Sequence, residues 1–238
     1  MKIIEKLTAK AKDNANREGV TIAFLGDSVT QGCFEIYWKT ADTIDTVYDK
    51  QNSYAMGVFD ILCLLYPSVP VNIINAGISG DNAPSGLGRL ERDVLRHEPD
   101  LTVVCYGLND CSRDGPARYI AALEGIFAQL HNAGSEIIFM TPNMMAPSVS
   151  YQLDPTFVPI AESVSSLQND GTFDAHIEAA KQLCQRMSVP VCDCYALWKT
   201  LWKNGVDVTE LLSNRINHPV RPMTKLFAAE LVRTMFTA

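Results

Sequence analysis

Histidine is scarce in this 238-residue chain, with four against seven cysteines. No C-x-x-C pair is present; Cys192 and Cys194 sit in a V-C-D-C stretch. That pattern argues against a zinc site, and an odd, scattered set of cysteines argues against a disulfide framework. Buried reduced thiols and a cytoplasmic setting are the expectation. No run of 18 apolar residues exists, so no membrane span is expected. The N-terminal stretch offers only Ile3 and Ile4 as an apolar part, with charge on both sides, unlike a secretory leader. Basic residues are also short: 20 Lys and Arg against 27 Asp and Glu give a net charge of −7. A non-specific nucleic-acid or anionic-membrane binder shows the opposite balance. Neither G-x-x-x-x-G-K-[ST] nor G-x-G-x-x-G follows the first apolar run, which discounts a nucleotide binder.

What is present is 47% hydrophobic and 20% charged sequence, enough to bury a core without metal or disulfide staples. Short apolar runs recur at residues 20–25 (VTIAFL), 71–75 (VNIIN), 101–106 (LTVVCY), 136–140 (EIIFM) and 189–192 (VPVC). Continuous apolar strands read as buried on both faces, hence as a parallel sheet. Between them, apolar positions recur at helical spacing: Tyr54, Val58, Ile61, Leu62 and Leu65; Leu87, Leu90, Val94 and Leu95; Ile120, Leu123, Phe127 and Leu130, closed by Gly134; and Ile177, Ala180 and Cys184. A last helix is expected from about Pro222. This rhythm predicts one doubly wound α/β domain over residues 1–238. Two stretches break it and are expected as long loops, residues 31–51 and 142–171. The second, with Met144, Met145, Tyr151 and Phe157, is expected to wall a substrate pocket.

Small and polar residues gather where the first three runs end. The first enters G-D-S-V-T-Q-G (26–32), the second N-A-G-I-S-G-D-N (75–82), the third Y-G-L-N-D (106–110). In an open parallel sheet ligands bind beyond the carboxyl ends of the strands, so three such segments face one crevice. A fourth block, N-R-I-N-H-P (214–219), precedes the last helix. His218 there sits in a loop able to reach the crevice, whereas His97, His131 and His176 fall within or beside predicted helices. Asp27, Asp81 and Asp110 are expected to accept backbone N–H bonds and hold the turns.

In order and spacing the four blocks resemble the SGNH (GDSL-type) ester hydrolases, over residues 22–219. The resemblance implies a flavodoxin-like three-layer sandwich, a five-stranded parallel sheet with helices on both faces. It implies Ser28 as nucleophile and His218 as general base. It implies an oxyanion hole from the Ser28 and Gly80 N–H groups and the Asn109 amide. Chemistry agrees: a serine hydroxyl needs a base to take its proton, and the attacked carbonyl becomes an oxyanion that needs donors fixed in advance. No metal or organic cofactor is implied, and the partner is a small-molecule ester. The first expectation for substrate is an acetyl ester of a carbohydrate, then a short-chain lipase or thioesterase; a non-catalytic ligand-binding module is the alternative class. One position departs. The family commonly has an aspartate three residues before the histidine, and here it is Arg215. A guanidinium has no acceptor, so the ring must be oriented by a backbone carbonyl, the Asn214 side-chain oxygen or a water.

Overall fold

The side chains of the apolar runs divide between two faces with the period of two that a pleated strand imposes. Val20, Ile22 and Phe24 of strand β1 (Val20–Gly26) join one buried cluster, while Ala23 and Leu25 join another. Strand β5 (Leu101–Cys105) divides likewise, Leu101, Val103 and Cys105 against Val104. So does β6 (Glu136–Met140), Ile138 and Met140 against Ile137 and Phe139. With β4 (Val71–Gly77) and β7 (Val191–Cys192) they form one parallel sheet in the order β4-β1-β5-β6-β7. Internal β1 is buried along most of its length, whereas edge strand β4 is mostly half-exposed until Ala76. The computed structural model describes residues 1–113 and 115–238.

Helices close both faces. Against the first cluster lie α1 (Lys2–Lys12), α3 (Tyr54–Leu65), α9 (Cys194–Lys203) and α10 (Arg221–Thr237), through Leu7, Val58, Leu62, Trp198, Phe227 and Leu231. Against the second lie α4 (Ala83–Asp93), α6 (Pro116–Asn132) and α8 (Thr172–Met187), through Leu90, Leu123, Phe127, Leu130 and Leu183. Fully burying one such Leu or Phe contributes about 1.5–3 kcal/mol, so the sandwich rests on these stripes. It is the flavodoxin-like three-layer arrangement expected. All seven cysteines are free, and six are buried. Among the described residues no helix is long and apolar enough to cross a membrane.

Neither stretch that broke the rhythm is a plain loop. Residues 31–51 hold an antiparallel hairpin, β2 (Cys33–Trp38) against β3 (Ile44–Tyr48), outside the main sheet. Residues 142–171 begin as buried irregular chain, Met144 and Met145 filling the first cluster, and continue as helix α7 (Val158–Asn169). A proline in the first turn of α7 costs nothing there, because that N–H has no helical acceptor. The topology puts the switch point between β1 and β5, so the crevice opens over the carboxyl ends of β4, β1 and β5.

Candidate active site

Strand β1 stops at Gly26, and Asp27 then caps the short helix α2 (Ser28–Gln31), its Oδ1 accepting the Val29 N–H at 3.0 Å. Ser28 is thereby the first helical residue, and its N–H has no carbonyl behind it. The end of β4 passes against this turn. A Cβ at Gly77 would run into the backbone of Gln31, so only glycine permits the approach. Two side chains tie the segments together: Asn75 Nδ2 donates to the Thr30 carbonyl at 2.8 Å, and Gln31 Oε1 accepts the Ser79 N–H at 2.6 Å. Gly80 follows with φ +75°, a backbone conformation that side chains resist. Asn109, after β5, donates one Nδ2 hydrogen to the Asp81 carbonyl at 2.9 Å, which keeps a second hydrogen for another acceptor. Among the described residues the Ser28 and Gly80 N–H groups have no hydrogen-bond partner.

His218 reaches the same place from the far end of the chain. Its Nε2 lies 2.9 Å from Ser28 Oγ, and its Nδ1 lies 2.7 Å from the Phe34 carbonyl oxygen. A carbonyl oxygen only accepts, so Nδ1 carries the proton and Nε2 is the bare nitrogen that accepts the Ser28 O–H. The pair is thus set in the tautomer that proton abstraction requires, and both side chains are buried.

The Asn214 expectation needs correcting. Its Oδ1 accepts the N–H groups of Ile216, Asn217 and His218 at 3.0, 2.9 and 2.9 Å. With both lone pairs spent on backbone, Asn214 shapes the loop that presents the histidine, while Phe34 O orients the ring. Arg215 completes that loop at φ +57°, a left-handed strain of roughly 1–2 kcal/mol. Asn143 Nδ2 secures it from outside through the Asn217 carbonyl at 2.8 Å. Asp207 and Glu210, the acids nearest upstream of His218 in the chain, are engaged elsewhere: Asp207 accepts the Thr209 N–H at 3.0 Å and Glu210 pairs with Arg215 at 2.9 Å. His176, buried in α8, has its Nδ1 2.9 Å from the Thr172 carbonyl.

Asp27 and Asp110 accept backbone N–H bonds as expected, from Val29 at 3.0 Å and Ala83 at 2.9 Å. Asp81 does something different. Its Oδ2 takes the Arg89 guanidinium at 2.6 and 2.9 Å and the Tyr106 hydroxyl at 2.9 Å. Arg89 also donates to the carbonyls of Ala76 at 2.7 Å and Gly26 at 3.1 Å. One buried guanidinium therefore fastens the ends of β1 and β4 and the segment carrying Gly80; breaking such a pair from one side costs about 3–5 kcal/mol. A second arginine clamps the orienter. Arg221 binds Glu35 at 2.7 and 3.1 Å and Asp49 at 2.7 Å, with its guanidinium 4.3 Å from the centre of the Phe34 ring. Phe34, Arg89 and Arg221 are the residues that motif reading misses. A carbonyl contributes no letter, and the arginines find their acids only once the chain is folded.

Burial dominates the electrostatics. It pushes the Asp27 carboxyl up to about 7, opposed by the Val29 N–H and helped by the charges of Asp110 and Asp81; among the described residues the buried Asp27 Oδ2 has no hydrogen-bond partner. It pulls His218 down to about 4, against the Phe34 carbonyl and the charge of Glu35, which favour the protonated ring. A protonated ring cannot accept the serine proton, so a reaction that depends on this transfer is expected to slow as pH drops through this pKa and to be full above it. The acid limb of kcat/KM for a neutral ester should therefore lie well below 6.5. Asp27→Asn, which removes the buried carboxyl raised to about 7 next to Ser28 in the chain, should leave that limb in place. Circular dichroism at each pH separates the limb from unfolding. A midpoint near 7.5 would require a carboxylate on the ring and sink this account.

The model of the GDSL-like lipase/acylhydrolase family matches residues 24–220. An acetylxylan esterase of Geobacillus stearothermophilus is 27% identical over 135 residues, 52% of this chain and 60% of that protein. An arylesterase of Vibrio mimicus is 33% identical over 78 residues, 32% of this chain and 39% of that one. The matches thus span less than two thirds of either curated relative. Among solved structures, an acetylxylan esterase from G. stearothermophilus superposes with a TM-score of 0.69 at 22% identity, over 93% of this chain and 96% of that one. A two-domain esterase active on acetylated mannans gives 0.68 at 18%, over 98% of this chain and 52% of that one. At these identities the structural likeness speaks for the fold.

Proposed function

The chain belongs to the GDSL-like lipase/acylhydrolase family, and from that premise we propose that it is a serine carboxylic ester hydrolase acting on small acyl esters, an acetyl ester of a carbohydrate first among them. The observation that carries the reading is the 2.9 Å contact between Ser28 Oγ and an Nε2 left bare by the Phe34 carbonyl. His218 takes the hydroxyl proton as Oγ attacks the acyl carbon. The C–O π pair moves onto oxygen, where the Ser28 and Gly80 N–H groups and the second Nδ2 hydrogen of Asn109 receive it. Collapse expels the alcohol, which takes the proton from His218 and leaves an acyl-serine. Water repeats the sequence, His218 again serving as base, and releases the acid.

Short acyl length and a carbohydrate alcohol are supported by the named relatives, esterases of acetylated xylan and acetylated mannan. The test is stoichiometric labelling by a fluorophosphonate, with the adduct located by peptide mass spectrometry, alongside hydrolysis of 4-nitrophenyl acetate. One phosphonyl group on Ser28 with measurable turnover is the expected result. No labelling and no turnover would return the protein to the class of non-catalytic ligand-binding modules.

A further inference from the structure

The β2–β3 hairpin carries an aromatic arrangement that the ester chemistry does not use. Trp38, at the end of β2, stacks on Phe157 with ring centres 5.1 Å apart and planes 4° from parallel. Its indole N–H is held by Thr156 Oγ1 at 2.8 Å, and Thr156 in turn donates to Asp154 at 2.7 Å. Phe157 is buried beneath, at 4% exposure, while Trp38 keeps 37%. One indole face is covered, so the exposed surface is the opposite face and the ring edge. An exposed tryptophan with its ring locked by a stack and by its only donor is an apolar plate fixed in advance, with little ordering entropy left to lose.

Its position is set from both sides by the active site. Phe157 packs with Ile216, two residues before His218. Phe34, whose carbonyl holds the His218 ring, lies four residues before Trp38 on the same strand. At the regular strand rise the two Cα atoms would be roughly 13 Å apart, an upper bound because the strand is irregular between Cys33 and Ile36; that is outside the reach of an acetyl group but within reach of the alcohol half of a larger ester. The alcohol partner that suits a flat, locked π face rimmed by hydroxyl and carboxylate is a pyranose. Its C–H face is apolar and slightly positive against the negative face of the ring, and its hydroxyls point outward to Thr156 and Asp154.

We propose that Trp38, backed by Phe157, is a carbohydrate subsite that seats a pyranose ring of an acetylated oligosaccharide away from the scissile ester. This rests on the ester-hydrolase reading above for its catalytic arm, and it has a binding arm that does not. In the catalytic arm, Trp38→Ala should lower the ratio of kcat/KM for acetylated xylo- or manno-oligosaccharides to that for 4-nitrophenyl acetate by tenfold or more, through KM. Trp38→Phe, which keeps a plate on Phe157, should recover most of the ratio, and unchanged melting temperatures exclude a folding defect. In the binding arm, calorimetric titration of the wild type with unacetylated xylopentaose and mannopentaose should show binding that Trp38→Ala abolishes. A tight response to only one sugar would identify the backbone recognised. A ratio that shifts less than twofold, with no binding of either sugar, overturns the subsite. So does a selective loss on long-chain 4-nitrophenyl esters, which would make the plate an acyl-chain surface. Glycan binding lost in Trp38→Ala by a protein that hydrolyses no ester upholds the subsite and sinks the hydrolase reading instead.

Discussion

Ser28→Ala is expected to lower kcat for an activated acetate ester by about 10⁶-fold, the scale seen when a serine nucleophile is removed from a working unit. The reason is local. Ser28 Oγ is the atom aligned with the bare nitrogen of His218, and Ala leaves no nucleophile at that point. Residual catalysis from the donors alone should remain above the uncatalysed rate. Because among the described residues Oγ bonds to His218 alone, and the exchange removes one atom from a site 4% exposed, the melting temperature should move little. Fluorophosphonate labelling should disappear with the activity. Retention of most of the rate would transfer the nucleophile to another residue and overturn the assignment.

Asn109→Ala should lower kcat by roughly 10²- to 10³-fold with little change in KM, about 2.7–4 kcal/mol of transition-state stabilisation. The amide spends one hydrogen on the Asp81 carbonyl, which leaves its second as a donor for the oxyanion. The carbonyl of a bound ester needs little from this donor; the oxyanion needs much. The alanine variant also loses the bond to Asp81, as does Asn109→Asp, so melting temperatures close to that of the wild type in both variants are needed to assign the loss to the oxyanion donor. The aspartate variant keeps the shape, loses both donors and adds a charge of the wrong sign, and should be at least as impaired. A change confined to KM would move Asn109 to ground-state binding.

Ser28 and Asn109 are legible in the sequence because both occupy chain segments that follow the ends of apolar strands. The sheet is legible for the same reason: Val103 and Val104 face opposite layers yet both are apolar, so the run is continuous. Legibility fails where burial is thin. In β2 it ends after Phe34, so Tyr37 and Trp38 stand exposed and the hairpin lacks an apolar alternation to betray it. Helix α1 buries only Ile3, Leu7 and Lys10, too sparse a stripe to mark a helix. Helix α7 is masked by Pro159, which reads as a breaker but lies where a helix tolerates it. At the site, Asn214 and Arg215 could be seen to replace the usual aspartate pattern, and a backbone carbonyl stood among the possible orienters. Which carbonyl could not be seen, because Phe34 lies 184 residues from His218 and meets it only through the hairpin and its Arg221 clamp.

The Phe34 carbonyl has a consequence for how this sequence can drift. Every amino acid, proline included, carries that oxygen, so no exchange at codon 34 deletes the acceptor itself. An aspartate in the same role is one base change from asparagine. What selection must keep here is the route of strand β2 past the histidine, a property spread over Glu35, Asp49 and Arg221. The partner of the His218 ring is inherited as a path rather than as a letter, and a search of genomes for the missing aspartate would pass such a sequence over.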